Sequence, residues 1–126
     1  MLKVTDLELT YHTDTSDVRA VRGVSFTVEH GQFFTLLGPS GCGKTSTLRS
    51  IAGLESPTSG QIQIGDSVVY DGAAHTLIPP HQRDIGMVFQ SYAIWPHMTV
   101  FENVAFPLAH GHKKTSKALI RDRVMR

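Results

Sequence analysis

The sequence predicts an α/β fold, in which a strand–loop–helix core joins an antiparallel β-subdomain and the start of a helical subdomain. Three observations predict it. Residues 33–37, FFTLL, form a nearly continuous apolar run that enters a glycine-rich stretch, after which Leu48, Ile51 and Leu54 recur at helical spacing. Residues 2–28 and 61–70 instead alternate apolar and polar side chains, the pattern of half-buried antiparallel strands. From Thr99 onward, a capping signature and apolar residues at helical spacing mark helices.

The elements follow in chain order. LKVTDLELTY sets Leu2, Val4, Leu7 and Leu9 among polar neighbours, as a first strand. A second strand carries Val21, Val24, Phe26 and Val28, and the dipeptide His30–Gly31 marks a turn. The run at 33–37 suits a strand buried on both faces of a parallel sheet. A helix starts near Lys44. ESPTSG is a cluster of turn residues, and GQIQIGDSVVYDG reads as a hairpin turning at Gly65–Asp66. Pro79 and Pro80 punctuate the chain before another apolar run at 85–89, expected as a strand. TVFE, residues 99–102, matches a capping box, in which the Thr and Glu side chains satisfy each other's backbone N–H groups. The segment TSKALIRDRVMR is expected as a helix with Leu119, Ile120 and Val124 on or near one face.

The glycine-rich stretch GPSGCGKT, Gly38 to Thr45, fits G-x-x-x-x-G-K-[ST]. Glycines let consecutive backbone N–H groups turn inward around phosphate oxygens, where side chains would block the approach. The N-terminus of the following helix adds partial positive charge. Lys44 is expected to reach the β- and γ-phosphates and the Thr45 hydroxyl to ligate Mg²⁺. The bland alternative is a glycine-rich turn with a chance lysine. Chance matches should occur in well under ~1% of chains this size, given residue usage, and the strand before and helix after that the motif requires are both expected from the pattern.

Bulk properties exclude several classes. The chain has 126 residues, 18% charged and 40% hydrophobic, enough for one compact domain. Its formal net charge of +1 leaves no basic footprint for nucleic acid. No apolar run approaches the ~18 residues that span a bilayer, and the N-terminal residues lack a secretory signal pattern. Cys42 stands alone, so no internal disulfide can form. The chain reads as cytosolic. Cys42 is expected to be reactive toward alkylating agents, although its position also tolerates a plain spacer residue. The seven histidines show no metal-ligand spacing, and HGH at 110–112 reads as a solvated turn.

The motifs and their order resemble the ATP-binding subunit of ABC transporters over almost the whole length. GPSGCGKTSTLRSIAGLESPTSGQIQIGD resembles that family's Walker A region, a P-loop NTPase core. RDIGMVFQSYAIWPHMTVFENVAF resembles its Q-loop region, with Gln90 at the glutamine. Tyr11 falls where the family carries its aromatic A-loop residue. The resemblance implies that Tyr11 stacks on adenine, and that Gly38, Pro39, Ser40, Gly41, Cys42, Gly43, Lys44, Thr45 and Ser46 hold the phosphates of ATP. It implies that Thr45 and Gln90 meet Mg²⁺. Tyr11 is otherwise a half-exposed tyrosine at a strand end, and Gln90 a polar residue after a strand. Residues 90–104 would dock the transmembrane permease, with Trp95 either an interface anchor or a core aromatic.

The sequence lacks the elements that the family uses for hydrolysis: an apolar strand ending in Asp, the following Glu, a switch histidine and an LSGGQ-type signature. In the family they lie beyond the point where this sequence stops. The chain therefore resembles the N-terminal part of an ATP-binding domain, an incomplete fold, with an open apolar edge at 33–37 expected to favour aggregation. The implied function is ATP binding as the energy-coupling subunit of a solute importer, of the polyamine or ferric-iron kind, on the cytoplasmic face of the inner membrane. A second ATP-binding subunit would complete a dimer, and hydrolysis would belong to the full-length form. Two alternatives stand beside it: a non-catalytic nucleotide-binding or decoy module, and another phosphate-loop NTPase or kinase. A GTPase would carry an N-K-x-D reader, which is missing.

Overall fold

A computed structural model describes residues 1–111 and 115–126. Where length suggested one compact domain, the chain divides into two units, Met1–Met87 and Val88–Arg126.

The first unit is an antiparallel sheet carrying one helix. Strands β1 (Leu2–His12), β2 (Asp17–Val28), β3 (Ser59–Ile64), β4 (Ser67–Asp71) and β5 (Thr76–Leu77) lie in the order β2-β1-β3-β4-β5. In β1, strict alternation would put Val4 and Leu7 on opposite faces. The register shifts between them, and Asp6 sits at φ 45°, the extra residue of a bulge. Val4, Leu7 and Leu9 are all buried as a result. The expected hairpin forms between β3 and β4, with Ile64 opposite Ser67 across Gly65–Asp66.

Helix α1 (Lys44–Ala52) sets Ile51 into the cluster of Val4, Leu7, Ile62, Val69 and Tyr70. Burying each such aliphatic side chain stabilises the fold by about 1.5–3 kcal/mol. The Tyr70 hydroxyl, buried with it, donates to the Pro57 carbonyl at 2.8 Å. Arg83 is buried without a carboxylate partner among the described residues. Its guanidinium donates to the carbonyls of Ile78 (2.8 Å), Ser50 (2.8 Å), Ile51 (2.7 Å) and Val69 (3.3 Å). Desolvation lowers its pKa, and the contacts tie the last turn of α1 to β4 and to the segment before the 3₁₀ turn at Pro80–Gln82.

Two expected strands do not form. Residues 33–37 and 85–89 carry no strand, and Phe33, Leu37 and Val88 are 94%, 89% and 98% exposed. A strand exists by hydrogen-bonding a neighbour, and among the described residues none lies in register with either run. Phe34 alone in the first run finds an aromatic partner, stacking on Phe26 with centroids 4.9 Å apart.

The second unit begins with an irregular stretch and continues in α2 (Val100–His110) and α3 (Lys117–Met125). The capping box is complete: the Thr99 N–H donates to Glu102 at 2.7 Å, and the Glu102 N–H to the Thr99 hydroxyl at 3.3 Å. Asn103 anchors the preceding loop, accepting from the Trp95 N–H and donating to the carbonyls of Trp95, Met98 and Thr99. Trp95, part exposed, packs on Phe106 at 4.4 Å, and Phe106 stacks on His110. In α3, N-capped by Ser116, Ile120 is buried, Val124 half-buried and Leu119 exposed, so the expected face is only partly covered. His110 ends α2, while His112 of the expected 110–112 turn lies outside the described residues.

Candidate nucleotide-binding site

The loop at 38–45 takes its shape from what lies beneath it. Gly43, the N-cap of α1, has φ 92°, and a Cβ there would stand 2.2 Å from the Ala20 carbonyl of β2. Only glycine combines that conformation with that approach. Helix α1 opens with no side-chain cap and no acidic residue in its first turn. Its first N–H groups are therefore left to an external acceptor, and its partial positive charge stays uncompensated.

Lys44 folds back over the loop. Its Nζ donates to the carbonyls of Gly38 and Pro39, both at 2.7 Å, and lies 3.4 Å from Cys42 Sγ. The ammonium is thus held at the centre of the loop by partners that phosphate oxygens can replace. The Cys42 thiol is free and exposed. Thr45 is exposed on the first helical turn, with Ser46 half-buried beside it. Thr47, which sequence reasoning passed over, is buried and donates from its hydroxyl to the Gly43 carbonyl at 2.9 Å, bracing the loop from below.

Tyr11, near the end of β1, is brought to the same place. Its hydroxyl meets Ser46 Oγ at 3.2 Å and donates to the Glu55 carboxylate. Glu55 is in turn paired with Arg49 at 3.0 Å. The hydrogen bond to Glu55 raises the Tyr11 pKa, against a lowering contribution from Ser46. A cleft of ≈ 510 Å³ is lined by Tyr11, Arg19 and Arg22 from the two long strands and by Ser40, Lys44 and Thr45 from the loop and helix; Gly41 also lines it. Arg19, Arg22 and Glu55 were not legible as site residues, because no motif names them; the pairing of β1 with β2 brings in the arginines.

Gln90 belongs to the second unit, where it is exposed at a bend in the irregular stretch. Among the described residues no three His, Cys, Asp or Glu side chains are grouped to hold a metal ion. Oxygen donors for a cation at the loop would come from hydroxyl and amide groups, the kind Mg²⁺ accepts while keeping water and phosphate ligands.

Comparison with known proteins gives a consistent picture. Residues 21–125 match the family model described as ABC transporter. The chain is 62% identical over 92 residues, 73% of its length, to the trehalose/maltose import ATP-binding protein of Thermococcus litoralis. It is 50% identical over 119 residues, 94% of its length, to the spermidine/putrescine import ATP-binding protein of Acidothermus cellulolyticus. It spans 25% and 29% of those two relatives. Among solved structures it resembles the dimeric ATP-binding cassette MJ0796 in a post-hydrolysis state bound to ADP and Pi. The TM-score is 0.81 at 30% identity, covering 99% of this chain and 54% of that one. The α/β, phosphate-loop fold is that of such cassettes, present in part, with an antiparallel sheet and three α-helices among the described residues.

Proposed function

The chain belongs to the ABC transporter family, and we propose that it binds ATP with Mg²⁺ as the energy-coupling part of a solute importer. One observation carries this reading: the Lys44 ammonium, centred in the loop, and Tyr11 line a single cleft. Phosphates would take the place of the Gly38 and Pro39 carbonyls at Lys44 and receive the N–H groups of residues 43–46. The ring of Tyr11 would offer its face to adenine. Thr45 would ligate Mg²⁺, which when bound neutralises phosphate charge.

The relatives are import ATP-binding proteins, and they support a reading of partners and activity. We assign hydrolysis, dimerisation with a second ATP-binding subunit, and docking to a permease through residues 90–104 to a protein of the relatives' length. Its place would be peripheral, on the cytoplasmic side of the membrane; no described helix is long and apolar enough to cross one. Import ATP-binding proteins named for a sugar and for polyamines both match well, which supports cargo selection by other subunits.

The test is calorimetric binding of ATP, with and without Mg²⁺, to the 126-residue chain and to Lys44→Ala. Removing a charge-assisted contact of this kind should weaken binding roughly 10- to 100-fold. Unchanged affinity in the variant would remove the loop from the proposed site.

A further inference from the structure

The hydroxyl of Tyr11 is engaged from two directions. Ser46, one helical turn before Arg49 on α1, lies 3.2 Å away, and the Glu55 carboxylate accepts its hydrogen bond. Glu55 itself is fixed. Its carboxylate pairs with Arg49 at 3.0 Å, its N–H donates to the Arg49 carbonyl at 3.3 Å, and its side chain is only 18% exposed. Tyr11, by contrast, is 39% exposed, near a strand end, and followed by the turn at 13–16. An aromatic side chain in that setting samples several rotamers unless its far end is tied. The tie comes from a residue 44 positions away.

We propose that Glu55 is a positioning residue for nucleotide binding: by holding the Tyr11 hydroxyl beside Ser46, it fixes the ring in the orientation that receives the base. The inference rests on the reading of the cleft as an ATP site. It goes beyond that reading by assigning base affinity to a carboxylate that touches neither base nor phosphate. The one proton of the hydroxyl is committed to Glu55, so Tyr11 has no donor left for the base and offers the face of its ring. Ordering the ring before the ligand arrives removes an entropic cost from binding the base. The phosphates, held by Lys44 and the loop, gain nothing from it.

That separation gives the experiment. Calorimetry would compare ATP with inorganic tripolyphosphate, which carries the phosphates without a base, on the 126-residue chain. Tyr11→Phe and Glu55→Ala should each weaken ATP binding about three- to tenfold, the range for one immobilised side chain, and leave tripolyphosphate unchanged. The double variant should be no weaker than either single one, since both remove the same contact. Glu55→Gln, which keeps an acceptor oxygen, should stay within about twofold of the parent. Wild-type ATP affinity in Tyr11→Phe, or equal losses for both ligands, would overturn the proposal. Lys44→Ala separates the two levels. If it weakens binding of both ligands while Tyr11→Phe is silent, the positioning role fails and the phosphate site stands. If it alters neither ligand, the site reading and this inference fall together.

Discussion

The guanidinium of Arg83 donates to the Ile51 carbonyl at 2.7 Å, closing the end of the helix whose first residue is Lys44. It also donates to the carbonyls of Ser50, Ile78 and Val69; those of Ser50 and Val69 accept in addition from the Gly53 and Ile78 N–H groups, whereas Ile51 and Ile78 rely on Arg83. A cation at a helix C-terminus is also favoured by the helix dipole.

Arg83→Met keeps the bulk of the stem and deletes every donor. Leaving the Ile51 and Ile78 carbonyls without a donor should cost about 2–4 kcal/mol. Urea unfolding followed by circular dichroism measures it, and a loss under about 0.5 kcal/mol would put Arg83 among ordinary surface residues.

Gly43 and Gly41 make a paired comparison. Both have left-handed backbone, at φ 92° and 79°, but a Cβ at Gly43 meets the Ala20 carbonyl at 2.2 Å while one at Gly41 meets nothing within 4 Å. Gly41→Ala should carry only the conformational cost of about 1–3 kcal/mol. Gly43→Ala should exceed it and abolish ATP binding, because the loop must lift off β2. Equal melting temperatures for the two variants would show that β2 does not shape the loop.

Cys42 is exposed, with Lys44 Nζ 3.4 Å from its sulfur. Iodoacetamide should label it readily, and saturating MgATP should slow labelling several-fold by covering the loop. Mass spectrometry of labelled peptides gives the rates. Identical rates with and without nucleotide would count against a formed phosphate cradle.

Glu102 supplies a pH dependence. The Thr99 N–H, then the Thr99 hydroxyl, hold its pKa below the ordinary 4.5. A depressed carboxylate stabilises the folded state above the unfolded value, and that contribution disappears as pH falls through the folded value. Helicity of α2 should therefore be constant above about pH 5 and decline below about pH 4.5, around the reference value for glutamate. Glu102→Gln, still a capping-box residue, should flatten the change seen by circular dichroism; an unaltered acid profile in that variant would assign it to other carboxylates.

Much of the molecule was legible because its signals are local. The capping box at 99–102, the Gly65–Asp66 hairpin and the helix after Lys44 depend on residues within a few positions of each other, and all three form. The β1 pattern was legible only in outline. Leu2, Val4, Leu7 and Leu9 do not keep strict alternation, and a bulge at Asp6 reconciles them. The runs at 33–37 and 85–89 show the limit of composition. An apolar segment can be suited to a strand, yet a strand needs a partner, and no periodicity within the run reports whether one is there.

The sequence by itself determined the glycine-rich loop, the start of the helix behind it and the family, because backbone conformation there is written in consecutive residues. Tertiary structure alone decided which groups stand around that loop. Ala20 lies against Gly43, Glu55 holds Tyr11, and Arg83 caps α1 from 32 residues away. Each of these contacts exists only once sheet and helix have packed. Their energies come from desolvating and satisfying polar groups at a shared surface, which no single stretch of the chain contains.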